Sequence, residues 1–206
     1  MIELVAFLGN HGREYAGNRH NAGRMLSGYL PFASSLSWQG KFKGLYSVLD
    51  QSRISPAAAP AGAPAAEAPA RIHFLMPETY MNLSGDSVQA AAAFFKIPPD
   101  RILLVHDELE LPLGTASFKF SGGLGGHNGL RSMVARFGTP DFWRLRIGIG
   151  RPGHTDISGW VLSDFTAPER EILALVLPAS ADALVRALAT GAEKLLPEWG
   201  KKKLAP

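Results

Sequence analysis

Leu8-Gly9-Asn10-His11-Gly12-Arg13-Glu14-Tyr15, with Arg19-His20-Asn21-Ala22-Gly23 just beyond it, decides how this 206-residue chain is read. Residues 2–8 (Ile-Glu-Leu-Val-Ala-Phe-Leu) are mostly apolar and run into a glycine, the pattern of a buried strand. The segment after that strand gathers amides, a phenol and an imidazole within a dozen residues. In open α/β proteins, chemistry collects where the carboxyl ends of strands give way to loops. An imidazole placed there exchanges a proton near neutral pH.

Working outward, strand patterns fall near residues 2–8, 44–50, 71–76, 101–106, 115–120 and 143–149, and helical patterns near 19–30, 84–96, 126–137 and 168–190. Interleaving of this kind predicts an α/β domain with helices flanking a twisted mixed β-sheet. In the 84–96 helix, Ser84 is expected as N-cap, Asp86 suits the dipole of the first turn, and Pro98-Pro99 end the run. Residues 52–70 form a low-complexity Ala/Pro segment, too rich in proline for a helix and too poor in apolar area to offset its ordering entropy. It joins two strand patterns and reads as a disordered loop at a hairpin end, so residues 1–206 are expected to form a single domain with an insertion. The Lys201-Lys202-Lys203 tail is expected to be a solvated end.

Composition narrows the function classes. With no cysteine, disulfides, thiolate nucleophiles and cysteine zinc sites are excluded. There is no run of 18 apolar residues and no basic-then-apolar leader, so a cytoplasmic address is expected. A net charge of +3, from 21 Lys+Arg against 18 Asp+Glu, permits a nucleic-acid partner without requiring one.

His20 opens a helical pattern, where it either caps the helix or does chemistry. Asp107 follows the apolar run Ile102–His106, at the end of a strand. Together they suggest a pair in which the carboxylate fixes the imidazole tautomer and raises its basicity. Ser84, in Met81-Asn82-Leu83-Ser84-Gly85, lacks the G-x-S-x-G elbow, so a water activated by histidine is the simplest hydrolytic scheme. His20, His106, Asp107 and His127 are an alternative metal set, but without H-x-x-x-H or H-E-x-x-H spacing. Gly122–Gly129 places five glycines around His127-Asn128 ahead of a helix, an arrangement suited to an anion or a developing oxyanion. Gly148-Ile149-Gly150-Arg151-Pro152-Gly153 matches a dinucleotide fingerprint in letters only, because Pro152-Gly153 argues for a turn where a helix is required. Arg131, Arg136, Arg144, Arg146 and Arg151, with Lys119, form either a phosphate-holding patch or a solvated surface.

Taken in order along the chain, these motifs resemble the bacterial peptidyl-tRNA hydrolase family. The resemblance rests on Leu8-Gly9-Asn10 with Tyr15, Arg19–Gly23, Thr79–Gly85, His106-Asp107-Glu108-Leu109 with Leu113-Gly114, Gly125–Leu130, and Phe142–Gly150. It implies a single α/β domain, monomeric and free of metal and cofactor, that cleaves the ester between peptide and tRNA. It further implies His20 as general base and Asp107 as its orienting carboxylate. Asn10, Asn82 and Asn128 would hold substrate, with Asn128 stabilising the oxyanion. Tyr15 and Tyr80 would line the site for the tRNA end, and Lys119 and Arg146 would grip the 5′ phosphate. Three features depart from the family: His11 where proline is usual, Asn18 where threonine is usual, and the 52–70 insertion. A non-catalytic RNA-binding relative and a hydrolase of small esters or amides are the rival readings, and the retained His20 and Asp107 argue against the first.

Overall fold

In the computed structural model, which describes residues 1–54, 69–153 and 155–205, the first strand β1 (Leu4–Phe7) is buried on both faces. That burial follows from its place in the sheet. Eight strands are ordered β2-β3-β4-β1-β5-β7-β6-β8, with β2 at Gln39–Lys41, β3 at Gly44–Asp50, β4 at Arg71–Pro77, β5 at Ile102–Glu108, β6 at Thr115–Phe120, β7 at Trp143–Gly148 and β8 at Lys202–Lys203. β4, β1, β5 and β7 run parallel, and both edges are antiparallel. The α-helices among the described residues are α1 (Ala22–Leu26), α2 (Gln51–Ile54), α3 (Ser84–Phe95), α4 (Asn128–Phe137), α5 (Ile157–Leu162), α6 (Ala167–Thr190) and α7 (Leu196–Trp199).

Period-2 alternation divides the core into two layers. Val5, Phe7, Leu103 and Val105 face a layer that includes α6 through Val176 and Leu184. Leu4, Ala6, Leu8 and Leu104 face a layer that includes α3 and α4 through Val88, Ala91, Leu130 and Met133. Two glycines allow close approach. A Cβ on Gly23 would lie 2.3 Å from the Val105 carbonyl oxygen, so α1 packs directly onto β5. A Cβ on Gly85 would lie 2.3 Å from the Ser132 carbonyl oxygen, where α3 meets α4. Because β4, β1 and β5 run parallel, the loops that follow them emerge at one end of the sheet.

Several expectations are corrected. The 19–30 helix is three short pieces, a 3-10 turn at Arg19–Asn21, α1, and a second 3-10 turn at Ser27–Tyr29. Ser84 is the first residue of α3 and does not cap it; its buried hydroxyl points back to Met81 Sδ. α3 stops at Phe95 because Lys96 turns left-handed (φ 58°), before the prolines are reached. The lysine tail is not simply solvated, since Lys202–Lys203 pair with β6 and Ala205 is buried. The hairpin that brackets the insertion is present, with Asp50 opposite Arg71. The insertion's first residues belong to α2, and Ile54 is in the core. Residues 55–68 lie outside the described residues. By length and composition α6 would suffice to cross a membrane, yet half of its apolar window is buried within the protein.

Candidate active site

β1 ends at Phe7, and three residues later Asn10 is buried by a double contact with Asn21. The Asn10 backbone N–H donates to Asn21 Oδ1 (2.8 Å), and Asn21 Nδ2 donates back to the Asn10 carbonyl (3.0 Å). The Met81 backbone N–H then donates to Asn10 Oδ1 (2.8 Å), tying the loop after β4 to the loop after β1. With its oxygen so occupied, Asn10 retains its amide N–H groups as free donors. Asn21 was missed as a site residue; its place one step after His20 in the loop was the available signal.

His20 ends up beside β5 because Gly23 seats α1 on that strand. Its Nδ1 lies 2.8 Å from Asp107 Oδ1, and both groups are buried. An ionised carboxylate only accepts, so His20 carries its proton on Nδ1 and keeps an unprotonated Nε2. His127 Nε2 lies 3.0 Å from the same Asp107 oxygen. On its other side, His127 Nδ1 accepts from the backbone N–H groups of Gly129 (3.1 Å) and Leu130 (3.4 Å), making His127 the N-cap of α4. Because those backbone groups can only donate, the His127 proton is on Nε2 and points at Asp107. Asp107 therefore receives two imidazole N–H groups on one oxygen, in rings 4.9 Å apart.

The electrostatics follow from this geometry. Burial pulls the His20 pKa down, but the charge and hydrogen bond of Asp107 win, and the net shift is upward. Burial pushes Asp107 upward, and His20 and His127 more than reverse that, holding its carboxyl well below the usual carboxylate range. His106 takes no direct part. Its Nδ1–H donates to the Asp107 carbonyl oxygen (2.6 Å), and burial drives its pKa far down, so it stays neutral. The metal set weighed from the sequence thus reduces to His20, Asp107 and His127, whose ligand atoms lie within 4.8 Å of one another. These donors fit an ion poorly. Its entry would break both N–H···Asp107 bonds, and His127 Nε2 cannot become a neutral donor while Nδ1 accepts two backbone N–H groups.

A cleft of about 220 Å³ opens beside this pair, lined by His20, Asp107, Glu108 and Leu109, by Gly125–Asn128 with Arg131, and by Ile157, Ser158 and Val161 of α5. Asn128, the first residue of α4, is exposed on its rim. At the N-terminus of α4 the His127 side chain already accepts from the Gly129 and Leu130 N–H groups, so those two are not open to an oxyanion. The Asn128 side chain remains as a donor. Asn82 is exposed on the 3-10 turn Met81–Leu83, next to the residue that binds Asn10. Asn10 lines a separate, adjoining depression with Asn21 and Arg24.

The remaining expected residues do not line the His20 cleft. Tyr15 is half-buried on the 3-10 turn Arg13–Tyr15, and Tyr80 is exposed, with its ring 6.4 Å from that of His11. Lys119 is half-buried on β6 beside Gly122. Arg146, opposite Ser117 on β6, donates to the Ser117 hydroxyl (2.7 Å) and lies 3.5 Å from Glu108, which lines the cleft. The arginine patch separates by partner. Arg144 is fully buried and donates to the Gly122 and Gly123 carbonyls (2.8 and 2.7 Å), holding the glycine loop down. Arg136 pairs with Asp86, and Arg151 with Glu110. Arg131 makes no ion pair among the described residues and faces the cleft. Residues 149–153 after β7 form no helix, so the helix that a dinucleotide motif requires is missing there.

Comparisons with known proteins identify the family. The family model described as peptidyl-tRNA hydrolase matches residues 4–206. The chain is 41% identical to the peptidyl-tRNA hydrolase of Trichlorobacter lovleyi over 97% of this chain and 95% of that one. It is 42% identical to that of Treponema pallidum over 98% and 96%. A crystal structure of peptidyl-tRNA hydrolase from Acinetobacter baumannii superposes with a TM-score of 0.76 at 33% identity, covering 97% of this chain and 96% of that one. A family match over residues 4–206, with relatives about 40% identical over nearly the whole chain, means that this chain belongs to the peptidyl-tRNA hydrolase family.

Proposed function

We propose that this chain hydrolyses the ester between peptide and tRNA in peptidyl-tRNA, with His20 as general base. The observation that carries the reading is the His20–Asp107 contact at 2.8 Å, which leaves Nε2 unprotonated at the edge of a cleft that His20 lines. A water held at Nε2 gives up its proton as its oxygen attacks the ester carbonyl carbon. Asp107 stabilises the imidazolium that forms, and the Asn128 amide donates to the oxyanion. Collapse breaks the bond to the ribose oxygen, which takes the proton back from His20. The products are a free peptide carboxylate and tRNA.

Asn10 and Asn82 suit a peptide backbone, since an amide side chain both donates and accepts. In the same reading Tyr15 and Tyr80 contact the tRNA end, and Lys119 and Arg146 its phosphates; phosphate contacts make binding salt-dependent. No metal or cofactor enters the scheme, the enzyme acts as a monomer, and its address is cytoplasmic. The test compares N-acetyl-aminoacyl-tRNA with free aminoacyl-tRNA, with and without chelator. Rapid, chelator-insensitive release from the blocked substrate alone supports the reading. Salt-sensitive RNA binding without cleavage favours a non-catalytic relative, and cleavage that needs added metal overturns the water–histidine scheme.

A further inference from the structure

Arg19, the residue before the general base, is almost wholly buried, at 3% exposure. It does not line the cleft. Nη1 donates to Ser163 Oγ (2.6 Å), the Asp164 carbonyl (2.8 Å) and the Ser163 carbonyl (3.2 Å), and Nη2 to both carboxylate oxygens of Glu169 (2.8 and 2.6 Å). The guanidinium also stacks 3.7 Å from the Trp160 ring. The backbone N–H of Arg19 adds a bond to the Ser163 carbonyl (3.0 Å), and Asn18 Nδ2 donates to the Leu162 carbonyl. All of these partners lie between Trp160 and Glu169, at the end of α5 and just beyond it.

A six-residue helix has too few internal hydrogen bonds to hold itself, and its last carbonyls need outside donors. Asn18 supplies one of them, at the Leu162 carbonyl, and Arg19 holds Ser163 and Asp164 immediately after the helix. α5 contributes Ile157 and Val161 to the cleft, and with Leu109 these are the large apolar side chains of its lining. Ribose, phosphate and the ester are polar; of the apolar parts of the substrate, the acyl side chain sits next to the ester carbonyl on which His20 acts, whereas the terminal base lies across the ribose. We infer that Arg19 is a positioning residue: it fastens the α5 wall to the segment that carries His20, and so sets the grip on the acyl side chain. This rests on the proposed function, and it gives Arg19 no contact with substrate.

The test measures kcat, KM and pH profile for Arg19→Lys with N-acetyl-leucyl-tRNA and N-acetyl-glycyl-tRNA. Lysine keeps the charge but loses the planar fork and the stacking. Expected is a KM for the leucyl substrate raised roughly tenfold, the scale of a loosened apolar pocket. For the glycyl substrate the KM stays near the wild-type value, and the acid limb of activity does not move for either. Glu169→Gln, which keeps an oxygen for the α6 cap while removing the charge partner, gives the same selectivity in weaker form and decides the matter if Arg19→Lys does not fold. A lower melting temperature with both KM values unchanged, or equal losses for both substrates, overturns the inference. Failure of the wild-type chain to cleave either substrate instead overturns the proposed function.

Discussion

Replacing Asp107 by asparagine isolates what its charge does. Two imidazole N–H groups point at one oxygen, at 2.8 and 3.0 Å, so the new amide must place its oxygen there and its nitrogen away. Both tautomers are then kept, and only the charge is lost. A unit charge 2.8 Å from an imidazolium contributes about 6 kcal/mol at an effective dielectric constant of about 20. If about half of that charge has developed at the transition state, about 3 kcal/mol is lost, a fall in kcat of roughly 100-fold. A fall nearer 10⁴-fold, as when the equivalent change inverts a tautomer, would mean that the amide has turned over. The pH profile gives an independent sign. Burial lowers the His20 pKa, and Asp107 is what raises it. Without that charge the His20 pKa drops, the neutral base persists to lower pH, and the acid limb of kcat/KM moves down. Steady-state hydrolysis of N-acetyl-aminoacyl-tRNA from pH 5 to 9 measures both effects. Wild-type kcat, or an acid limb that stays put or moves up, refutes the reasoning.

Three further outcomes follow from the same geometry. His127→Ala removes the α4 cap and one of the two donors to Asp107, together costing about 2–4 kcal/mol; thermal unfolding should shift down by several degrees and kcat should fall. Gly23→Ala places a Cβ 2.3 Å from the Val105 carbonyl oxygen, so α1 must lift from β5; a loss of about 1–3 kcal/mol on denaturant unfolding is expected, with activity lost while the chain is still folded. Lys119→Ala should lower tRNA affinity and reduce the slope of log K against log salt by about 0.7–0.9, whereas Arg146→Ala alone should reduce it less, because Glu108 already offsets that charge.

The central strand, the hairpin around the insertion, and His20 and Asp107 as candidates could be read from the chain, because apolar runs ending in glycine and polar residues at strand ends are local signals; that the two touch depends on packing across 87 residues of sequence. His127 was visible as a histidine in a glycine-rich turn, but its double use, capping α4 and donating to Asp107, depends on a strand 20 residues away in sequence. Arg144 and Arg146 share a strand face as expected, yet burial gives them different work, Arg144 under the glycine loop and Arg146 against Glu108. α5 gave no helical signal because it is short and is fastened by long-range bonds, from Asn18 to its last carbonyl and from Arg19 to the residues just after it. The edge strands β2 and β8 are too short for a period-2 pattern to register. Ser84 looked like a cap because Ser is a common one, but the chain enters α3 through the 3-10 turn Met81–Leu83, which leaves Ser84 inside the helix.

Single-turnover hydrolysis of N-acetyl-aminoacyl-tRNA by His20→Ala, beside a tRNA-binding titration of the same protein, decides whether His20 is the general base. Ester cleavage should be lost while the circular dichroism spectrum and tRNA affinity match wild type, since among the described residues the side chain donates only to Asp107. Cleavage at the wild-type rate in that variant would contradict that role.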